Sequence, residues 1–273
     1  MNRPSSHRVR WHLRRLRPLV RPPLVSVRHV GIREDDWIVA EHPKSGGTWL
    51  AFMLGEALFG TDMDFSNQSR FMPAVGRHRH APVVPGVGGR LLRTHERWRP
   101  AYARGIYLVR HVADVAVSYH RWLEWLGVPG VSFDEFLPEF LKGHIDGWGP
   151  WQRHVSSWLD ARSSAVHIVR YEDLRADTEG VLACALRFIG VPMDAAVLAR
   201  AVENNTFERM REKEEGARSS VFGTRTEGTH FVRSGAVGEG LRLLRPDQIA
   251  MIDRFAGPQL RRLGYELLPA PGA

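Results

Sequence analysis

Cysteine and long apolar runs are nearly missing from this 273-residue chain. Its one cysteine, Cys184, cannot form a disulfide within the chain, and a zinc site made of several cysteines is excluded. Such low cysteine use favours a reducing, cytoplasmic setting. Cys184 lies in the apolar helical run 181–189, where we expect it to be part of the core. No stretch reaches the ~20 apolar residues of a membrane-spanning helix, and none is typical of a secretory signal.

Acidic residues are missing from the first 33 positions, which contain nine Arg. The chain has a formal net charge of +8, so this stretch holds the basic excess and the rest is nearly neutral. We predict a basic N-terminal arm at 1–33 and a single domain at 34–273, a length that buries a sizeable core. Arg residues interspersed with Trp and Leu suit peripheral contact with an anionic membrane surface, and a solvated extension is the alternative.

Lysine is also rare, since the chain has 35 Arg and only three Lys. Lys44 lies in a glycine turn, 41–49, that is flanked on both sides by apolar runs. This pattern predicts a strand, a loop and a helix start, whose free N–H groups and lysine charge suit a phosphate-like anion. ATP-binding P-loops place Lys after the last glycine, whereas Lys44 precedes Gly46 and Gly47. ATP hydrolysis in the usual P-loop geometry is therefore not expected.

Strand-like and helical segments alternate along the rest of the domain. Strands are predicted at 37–40, 90–94, 105–110 and 165–170, and helices at 48–59, 114–125, 151–161 and 178–189. The alternation predicts an α/β fold with a mainly parallel central sheet flanked by helices and a P-loop-like strand-loop-helix unit. Ligands of such sheets bind at the carboxyl ends of the strands, where we place Lys44, His95 and Arg110.

A second anion-binding pattern follows the third predicted strand. Arg110 ends that strand, and Ser118 lies eight residues later on the next helix. An Arg guanidinium grips a phosphate through two N–H groups, and a Ser hydroxyl adds another donor. With the glycine loop, this pattern resembles the two nucleotide motifs of sulfotransferases that use 3'-phosphoadenosine 5'-phosphosulfate (PAPS), P-K-S-G-T-T-W and V-x-R-N-P-x-D-x-x-V-S. Gly47 replaces the first Thr of the loop motif, and His111 and Val112 replace Asn-Pro.

Three later segments extend the resemblance, which covers residues 37 to about 240. They are similar to the family's Y-E-D, [ST]-F-x-x-M and F-x-R-K-G-x-x-G segments, although Ser234 replaces the Lys and Gly240 stands where Trp is frequent. The family's C-terminal dimer motif is not recognisable, which leaves the oligomeric state open. The resemblance implies that the donor nucleotide contacts Lys44, Ser45, Gly46, Gly47, Thr48, Trp49, Arg110, Ser118, Tyr171, Thr206, Phe207, Arg233, Ser234 and Gly235.

The resemblance also implies a mechanism, which is in-line transfer of the sulfuryl group with 3'-phosphoadenosine 5'-phosphate (PAP) as co-product and no metal. His95 follows L-L-R-T, similar to the family's L-[LI]-K-T-H, and is expected to deprotonate the acceptor. Glu96 is the alternative base, and Arg93 replaces the usual Lys. Lys44 is expected to stabilise charge on the leaving phosphate, and Ser118 to restrain Lys44 before the acceptor binds.

The acceptor is expected to be a small molecule with a hydroxyl or amine group, such as a phenol, alcohol, sugar or lipid. Between the anchors lie six aromatic residues, part of which we expect in the core: Trp122, Trp125, Phe133, Phe136, Trp148 and Trp151. The rest of them, and segment 60–89 with His78 and His80, are predicted to line an apolar acceptor pocket. Two alternatives of other classes are a nucleotide kinase of P-loop type and a non-enzymatic polyanion-binding protein. The nearly neutral body argues against a general nucleic-acid surface.

Overall fold

The computed structural model describes residues 22–126, 128, 130–161, 165–217 and 230–266. Its strands are β1 (Trp37–Glu41), β2 (Leu91–Thr94), β3 (Arg104–Val109) and β4 (Val166–Arg170). Its helices are α1 (Pro22–Arg28), α2 (Gly47–Phe59), α3 (Gln68–Phe71), α4 (Val112–Trp125), α5 (Phe133–Lys142), α6 (Trp151–Leu159), α7 (Tyr171–Ala176), α8 (Thr178–Ile189), α9 (Ala195–Glu203), α10 (Phe207–Gly216), α11 (Glu239–Leu243) and α12 (Pro246–Arg262). Each predicted strand and helix is found within two residues of its expected ends.

The four strands form one parallel sheet in the order β2-β1-β3-β4, which confirms the predicted α/β class. All five residues of β1 are buried because helices cover both faces of the sheet, and this explains its uninterrupted apolar sequence. Residue pairing aligns Ala40 with Thr94 and Glu41 with Leu108. The segments that follow β1, β2 and β3 therefore emerge together at one edge of the sheet.

Two apolar clusters fill the space between the sheet and its helices. One contains residues of α4, α5, α6 and α12, with Trp151 and Trp158 among its largest buried side chains. The other joins residues of α2, α8 and α9 to residues of β1 and β3. Helices on both faces hold the sheet in place and leave its carboxyl edge accessible to a ligand. Within the described part of the chain, no helix is long and apolar enough to span a bilayer.

The positions of Cys184 and of the basic arm can be compared with what the sequence predicts. The core position expected for Cys184 is wrong, because the side chain is exposed on α8. That helix buries Leu182, Ala185, Leu186 and Ile189, whose spacing places Cys184 on the opposite face. Within the basic arm expected at 1–33, residues 22–28 form α1, whereas residues 1–21 lie outside the described residues.

A buried ion pair fastens the amino ends of β1 and β2. Oδ1 of Asp36 accepts hydrogen bonds from the backbone N–H and the Nε–H of Arg90, at 3.1 and 2.8 Å. Asp36 is 1 % exposed and Arg90 3 % exposed. Arg90 also donates to the carbonyls of His78 and Gly31, at 3.0 and 2.7 Å. Burial alone raises the pKa of Asp36, but the bonds from Arg90 prevail and lower it.

We predict that Asp36→Ala lowers the free energy of unfolding by about 3–5 kcal/mol, because it leaves the Arg90 charge buried without its partner. Urea denaturation of the parent and the variant measures the difference. Asp160→Ala is a matched control, since it breaks the surface pair with Arg262, whose side chains are 63 % and 43 % exposed. It is expected to cost at most about 1 kcal/mol. Equal losses in the two variants would contradict a structural role for the buried pair.

Candidate active site

The glycine loop between β1 and α2 has an unusual backbone. Gly46 has a φ of 104° and Lys44 a φ of 75°, and Lys44 is the one non-glycine residue with positive φ among those described. A side chain in this region costs roughly 1–2 kcal/mol, so surrounding contacts must hold Lys44 there. A Cβ on Gly46 would lie 2.7 Å from the ring of Tyr171. The loop therefore packs closely against Tyr171 while α2 begins with its N–H groups at the cavity.

A cavity of about 530 Å³ opens at this edge of the sheet. Most of the predicted nucleotide ligands line it, together with His95: Lys44, Gly46, Gly47, Thr48, Trp49, Arg110, Ser118, Tyr171, Phe207, Arg233, Ser234 and Gly235. Ser45 and Thr206 are outside its lining. The Ser45 hydroxyl is buried without a hydrogen-bond partner, and the Thr206 hydroxyl caps α10 by accepting from the N–H of Arg209.

Lys44 extends between aromatic rings inside the cavity. Its Nζ lies 4.3 Å from the ring centre of Phe231 and 5.7 Å from that of Trp122. Burial lowers the pKa of Lys44 to about 8, although the nearby carboxylate of Glu41 opposes that shift. An anion bound in the cavity would favour the charged form of Lys44. The surroundings of this side chain are therefore suited to a negatively charged ligand.

Arg110 also lines the cavity and is 6 % exposed. Its Nη2 donates to the carbonyl of Ala236 at 2.6 Å and lies 3.4 Å from Asp114, while its guanidinium stacks over Tyr171 at 4.3 Å. Its Nε–H is buried and has no hydrogen-bond partner within the described part of the chain. A buried unsatisfied donor on a cationic group is costly unless a ligand accepts from it. A buried cationic donor of this kind is suited to binding a phosphate oxygen.

Asp114 fixes the glycine-rich segment 235–240 beside Arg110. Its carboxylate accepts from the N–H groups of Gly238 and Gly240, at 2.9 and 2.6 Å. The Tyr171 hydroxyl donates to the carbonyl of Gly235 at 3.0 Å. Sequence reasoning noted Asp114 as part of a motif and gave it no role. Its position four residues after Arg110, in the first turn of α4, was the available signal.

Arg233 lies just before this segment and forms a bidentate ion pair with Glu239 within it, with Nη1 2.7 Å from Oε1. The Ser234 hydroxyl donates to the same carboxylate at 3.2 Å. Both predicted phosphate ligands are thus held by one acidic residue that the sequence did not single out. An anion placed at Arg233 must share this guanidinium with Glu239 or displace the carboxylate.

Trp49 forms the far end of the cavity. Its indole N–H donates to the carbonyl of Asn205 at 2.7 Å, and its ring meets Tyr171 edge to face with the centres 6.0 Å apart. The guanidinium of Arg175 lies 5.4 Å from its ring centre. These contacts fix the orientation of the indole, and with Phe207 they give this end an aromatic surface suited to a planar base.

His95 is held by contacts on three sides. Its Nδ1 lies 3.2 Å from the carbonyl of Glu41, and its ring meets Trp148 edge to face at 5.1 Å. A carbonyl only accepts hydrogen bonds, so Nδ1 carries a proton, and in the neutral form of the ring the lone pair is then on Nε2. The His95 carbonyl accepts from Nε2 of His154 at 3.0 Å, and Nδ1 of His154 lies 2.9 Å from the Tyr107 hydroxyl. Sequence reasoning missed His154, Tyr107 and Glu41.

The predicted acceptor wall is only partly found. Of its six aromatic residues, Trp122 and Trp148 line the large cavity. Of the others, Phe136 and Trp151 are fully buried, Trp125 is 6 % exposed, and Phe133 is partly buried against the core. His78 is buried and accepts from the N–H of Gly76 at 2.9 Å, whereas Ala74 and Val75 line a smaller cavity of about 60 Å³. Aromatic spacing could not separate wall from core because both face inward.

Comparisons with known proteins agree with this geometry. A sulfotransferase domain model matches residues 34–264. Sulfotransferase 1C2 of Oryctolagus cuniculus is 27 % identical over 234 residues, which cover 76 % of this chain and 77 % of that protein. Sulfotransferase 2A1 of Mus musculus is 26 % identical over 227 residues, covering 76 % and 78 %.

Solved structures share the fold. Mouse sulfotransferase SULT7A1 complexed with PAP superposes with a TM-score of 0.67 at 23 % identity and covers 87 % of this chain and 88 % of its own. Retinol dehydratase in complex with androsterone and the inactive cofactor PAP gives a TM-score of 0.71 at 19 % identity, with coverage of 93 % and 88 %. The domain model spans most of the chain, including both anion-binding motifs and His95. The chain therefore belongs to the sulfotransferase family and is a PAPS-dependent sulfotransferase.

Proposed function

We propose that this enzyme transfers the sulfuryl group of PAPS to a hydroxyl or amine group of a small-molecule acceptor, with His95 as the general base. The observation that carries this proposal is the position of His95 at the carboxyl edge of the sheet. Its Nδ1–H is engaged by the Glu41 carbonyl, and it lines the same cavity as Lys44. With its proton on Nδ1, a neutral imidazole has its basic lone pair on Nε2, which is equipped to take the proton of the acceptor.

The residues of the cavity fit an anionic nucleotide. Lys44 and the N–H of Thr48 in the first turn of α2 would hold the 5'-phosphosulfate end, and Arg110, Ser118, Arg233, Ser234 and Gly235 the 3'-phosphate. The Nε–H of Arg110 supports this assignment, since it is a buried donor without a partner among the described residues. Trp49, Tyr171, Phe207 and Thr206 would surround the adenine. Lys44, Arg110 and Arg233 line one cavity, which matches a ligand whose ribose carries phosphate groups at both its 3' and 5' positions.

The residues named above are sufficient for the proposed transfer. Nε2 of His95 accepts the proton as the acceptor O–H or N–H bond breaks, and the freed electron pair attacks sulfur. The bond between sulfur and the bridging oxygen breaks, and its electron pair stays on the 5'-phosphate of PAP. Lys44 and the loop N–H groups stabilise that developing charge, and Ser118 restrains Lys44 beforehand. Glu96 is the alternative base.

Several finer assignments belong to this proposal. Trp122, Trp148 and Phe231 give the cavity aromatic walls, which suit a phenol, an alcohol or a lipid-like acceptor. A protein of this fold binds androsterone together with PAP, in agreement with an apolar acceptor. We place one catalytic domain at 34–273 in the cytoplasm, with the arm at 1–33 touching an anionic membrane surface. Membership of the sulfotransferase family decides against a kinase or a non-enzymatic polyanion-binding protein.

We predict that PAP raises the thermal unfolding temperature, whereas adenosine 5'-phosphate and ATP with magnesium do not. At ~100 times its dissociation constant, PAP is expected to add ~2.7 kcal/mol, which is a shift of several degrees for a chain of this size. Differential scanning fluorimetry with each nucleotide measures the shift. A shift with ATP alone would contradict the assigned donor, and equal shifts with PAP and adenosine 5'-phosphate would contradict a 3'-phosphate site.

We predict that His95→Ala lowers turnover by about 100-fold or more and leaves the affinity for PAP nearly unchanged, because loss of a general base typically costs 10²–10⁴-fold. PAP formation is measured with the best acceptor from a panel of phenols and alcohols. His144→Ala is the matched control, because His144 is 50 % exposed and outside the cavity. Full activity of His95→Ala would contradict His95 as the general base and would favour Glu96.

We predict that Arg110→Ala weakens PAP binding by about tenfold or more, since a charge-assisted bond to phosphate contributes about 1.5–3 kcal/mol. Affinity for adenosine 5'-phosphate is expected to change much less, because that nucleotide lacks the 3'-phosphate. Calorimetric titration with both nucleotides measures the two constants. An equal loss for the two ligands would mean that Arg110 supports the fold of the cavity without binding the 3'-phosphate.

A further inference from the structure

The carboxyl group of Glu41, the last residue of β1, lies between the donor loop and His95. Its Oε2 accepts a hydrogen bond from the N–H of Gly47 at the start of α2. Its Oε1 lies 3.8 Å from Nδ1 of His95, and the side chain is 10 % exposed. The residue lines both the large and the small cavity. One carboxyl group thus contacts the phosphate-binding loop and faces the proposed base.

Gly47 is matched to this carboxyl group. A Cβ built on Gly47 would lie 2.2 Å from the carboxyl carbon of Glu41 and 2.2 Å from Oε1. The φ of Gly47 is not positive, so its backbone conformation does not require glycine. Glycine is required at position 47 because a side chain there would occupy the space of the Glu41 carboxyl group. Gly47, where the sulfotransferase loop motif has Thr, is therefore coupled to Glu41.

Titratable side chains face Glu41 from β2, from β3 and from the glycine loop. Arg93 faces it from β2, Lys44 from the loop, His95 from the end of β2, and the Tyr107 hydroxyl from β3. Burial raises the pKa of Glu41 to about 7, against the opposing effects of Arg93, the Gly47 N–H and Lys44. Formation of an imidazolium 3.8 Å away would favour its ionised form.

We propose that Glu41 is a positioning residue for sulfuryl transfer that acts through His95, and this inference rests on the proposed role of His95 as base. The Glu41 carbonyl holds the Nδ1 proton, so Nε2 is the nitrogen that receives the acceptor proton. The carboxylate beside Nδ1 stabilises the imidazolium that results, and no proton passes to Glu41. Its bond to the Gly47 N–H fixes the base relative to the loop that holds the donor.

Glu41→Gln tests the role of the charge, because the amide oxygen can still accept from the Gly47 N–H. NMR titration of the imidazole protons in the PAP-saturated protein measures the midpoint for His95, whose signals are assigned by their loss in His95→Ala. We expect the midpoint to fall by about one pH unit in Glu41→Gln, since an opposite charge at this distance favours the imidazolium. Glu179→Gln, an exposed residue of α8, is the matched control and should leave the midpoint unchanged.

Turnover gives a second readout. Glu41→Gln is expected to lower turnover about tenfold or more in the parent and to have no further effect in His95→Ala, with PAP affinity retained in both. An unchanged midpoint, or equal losses in the two backgrounds, would overturn the inference while PAP binding still supports the proposed function. Failure of the parent to bind PAP would instead overturn the proposed function.

The pairing of Gly47 with Glu41 has its own test, which does not depend on turnover. Gly47→Ala is expected to lower the unfolding temperature by several degrees in the parent, because the new methyl group collides with the carboxyl group. In the Glu41→Ala background the same change should have little effect, since the obstacle is gone. Equal losses in both backgrounds would show that Gly47 is not matched to Glu41.

Discussion

The parallel pairing of β1 with β2 on one side and β3 on the other is the constraint on which the site depends. Because β1 is buried along its whole length, a slip of its register would disturb both faces of the core. Asp36 and Arg90 fix the register at the amino end of β1 and β2. At the other end, the same register brings Glu41 beside His95 and the Lys44 loop close to Arg110.

The cavity concentrates positive charge, which costs stability unless each cation is compensated. Asp114 lies against Arg110, Glu239 pairs with Arg233, and Glu41 acts on Lys44 and Arg93. This compensation is incomplete, since the Nε–H of Arg110 stays buried without a partner. In the proposed function, the anionic nucleotide supplies the missing acceptor and the negative charge. Donor binding and stability of the cavity are therefore linked. The carboxylate beside each cation determines how strongly that cation can interact with the donor.

Local patterns were enough to predict the parallel sheet, the glycine loop and the placement of Lys44, His95 and Arg110, because each depends on residues close together in sequence. The contacts that orient His95 were not predictable in this way. His154 lies 59 residues from His95, and the ion pair of Asp36 and Arg90 joins residues 54 apart. Cys184 was misjudged for a related reason, since apolar character does not tell which neighbour a side chain will meet.

Departures from the family's motif have a physical meaning only when they are taken together with their neighbours. Gly47 alone looks like the loss of a hydroxyl from the phosphate-binding loop. Beside Glu41 it becomes a requirement of space, because any side chain at position 47 would occupy the volume of the carboxyl group. The carboxyl group in turn compensates two nearby cations, Arg93 and Lys44. A glycine and a buried acid thus form one unit, and a change to either alone would leave a collision or an uncompensated charge at the point where donor and base meet.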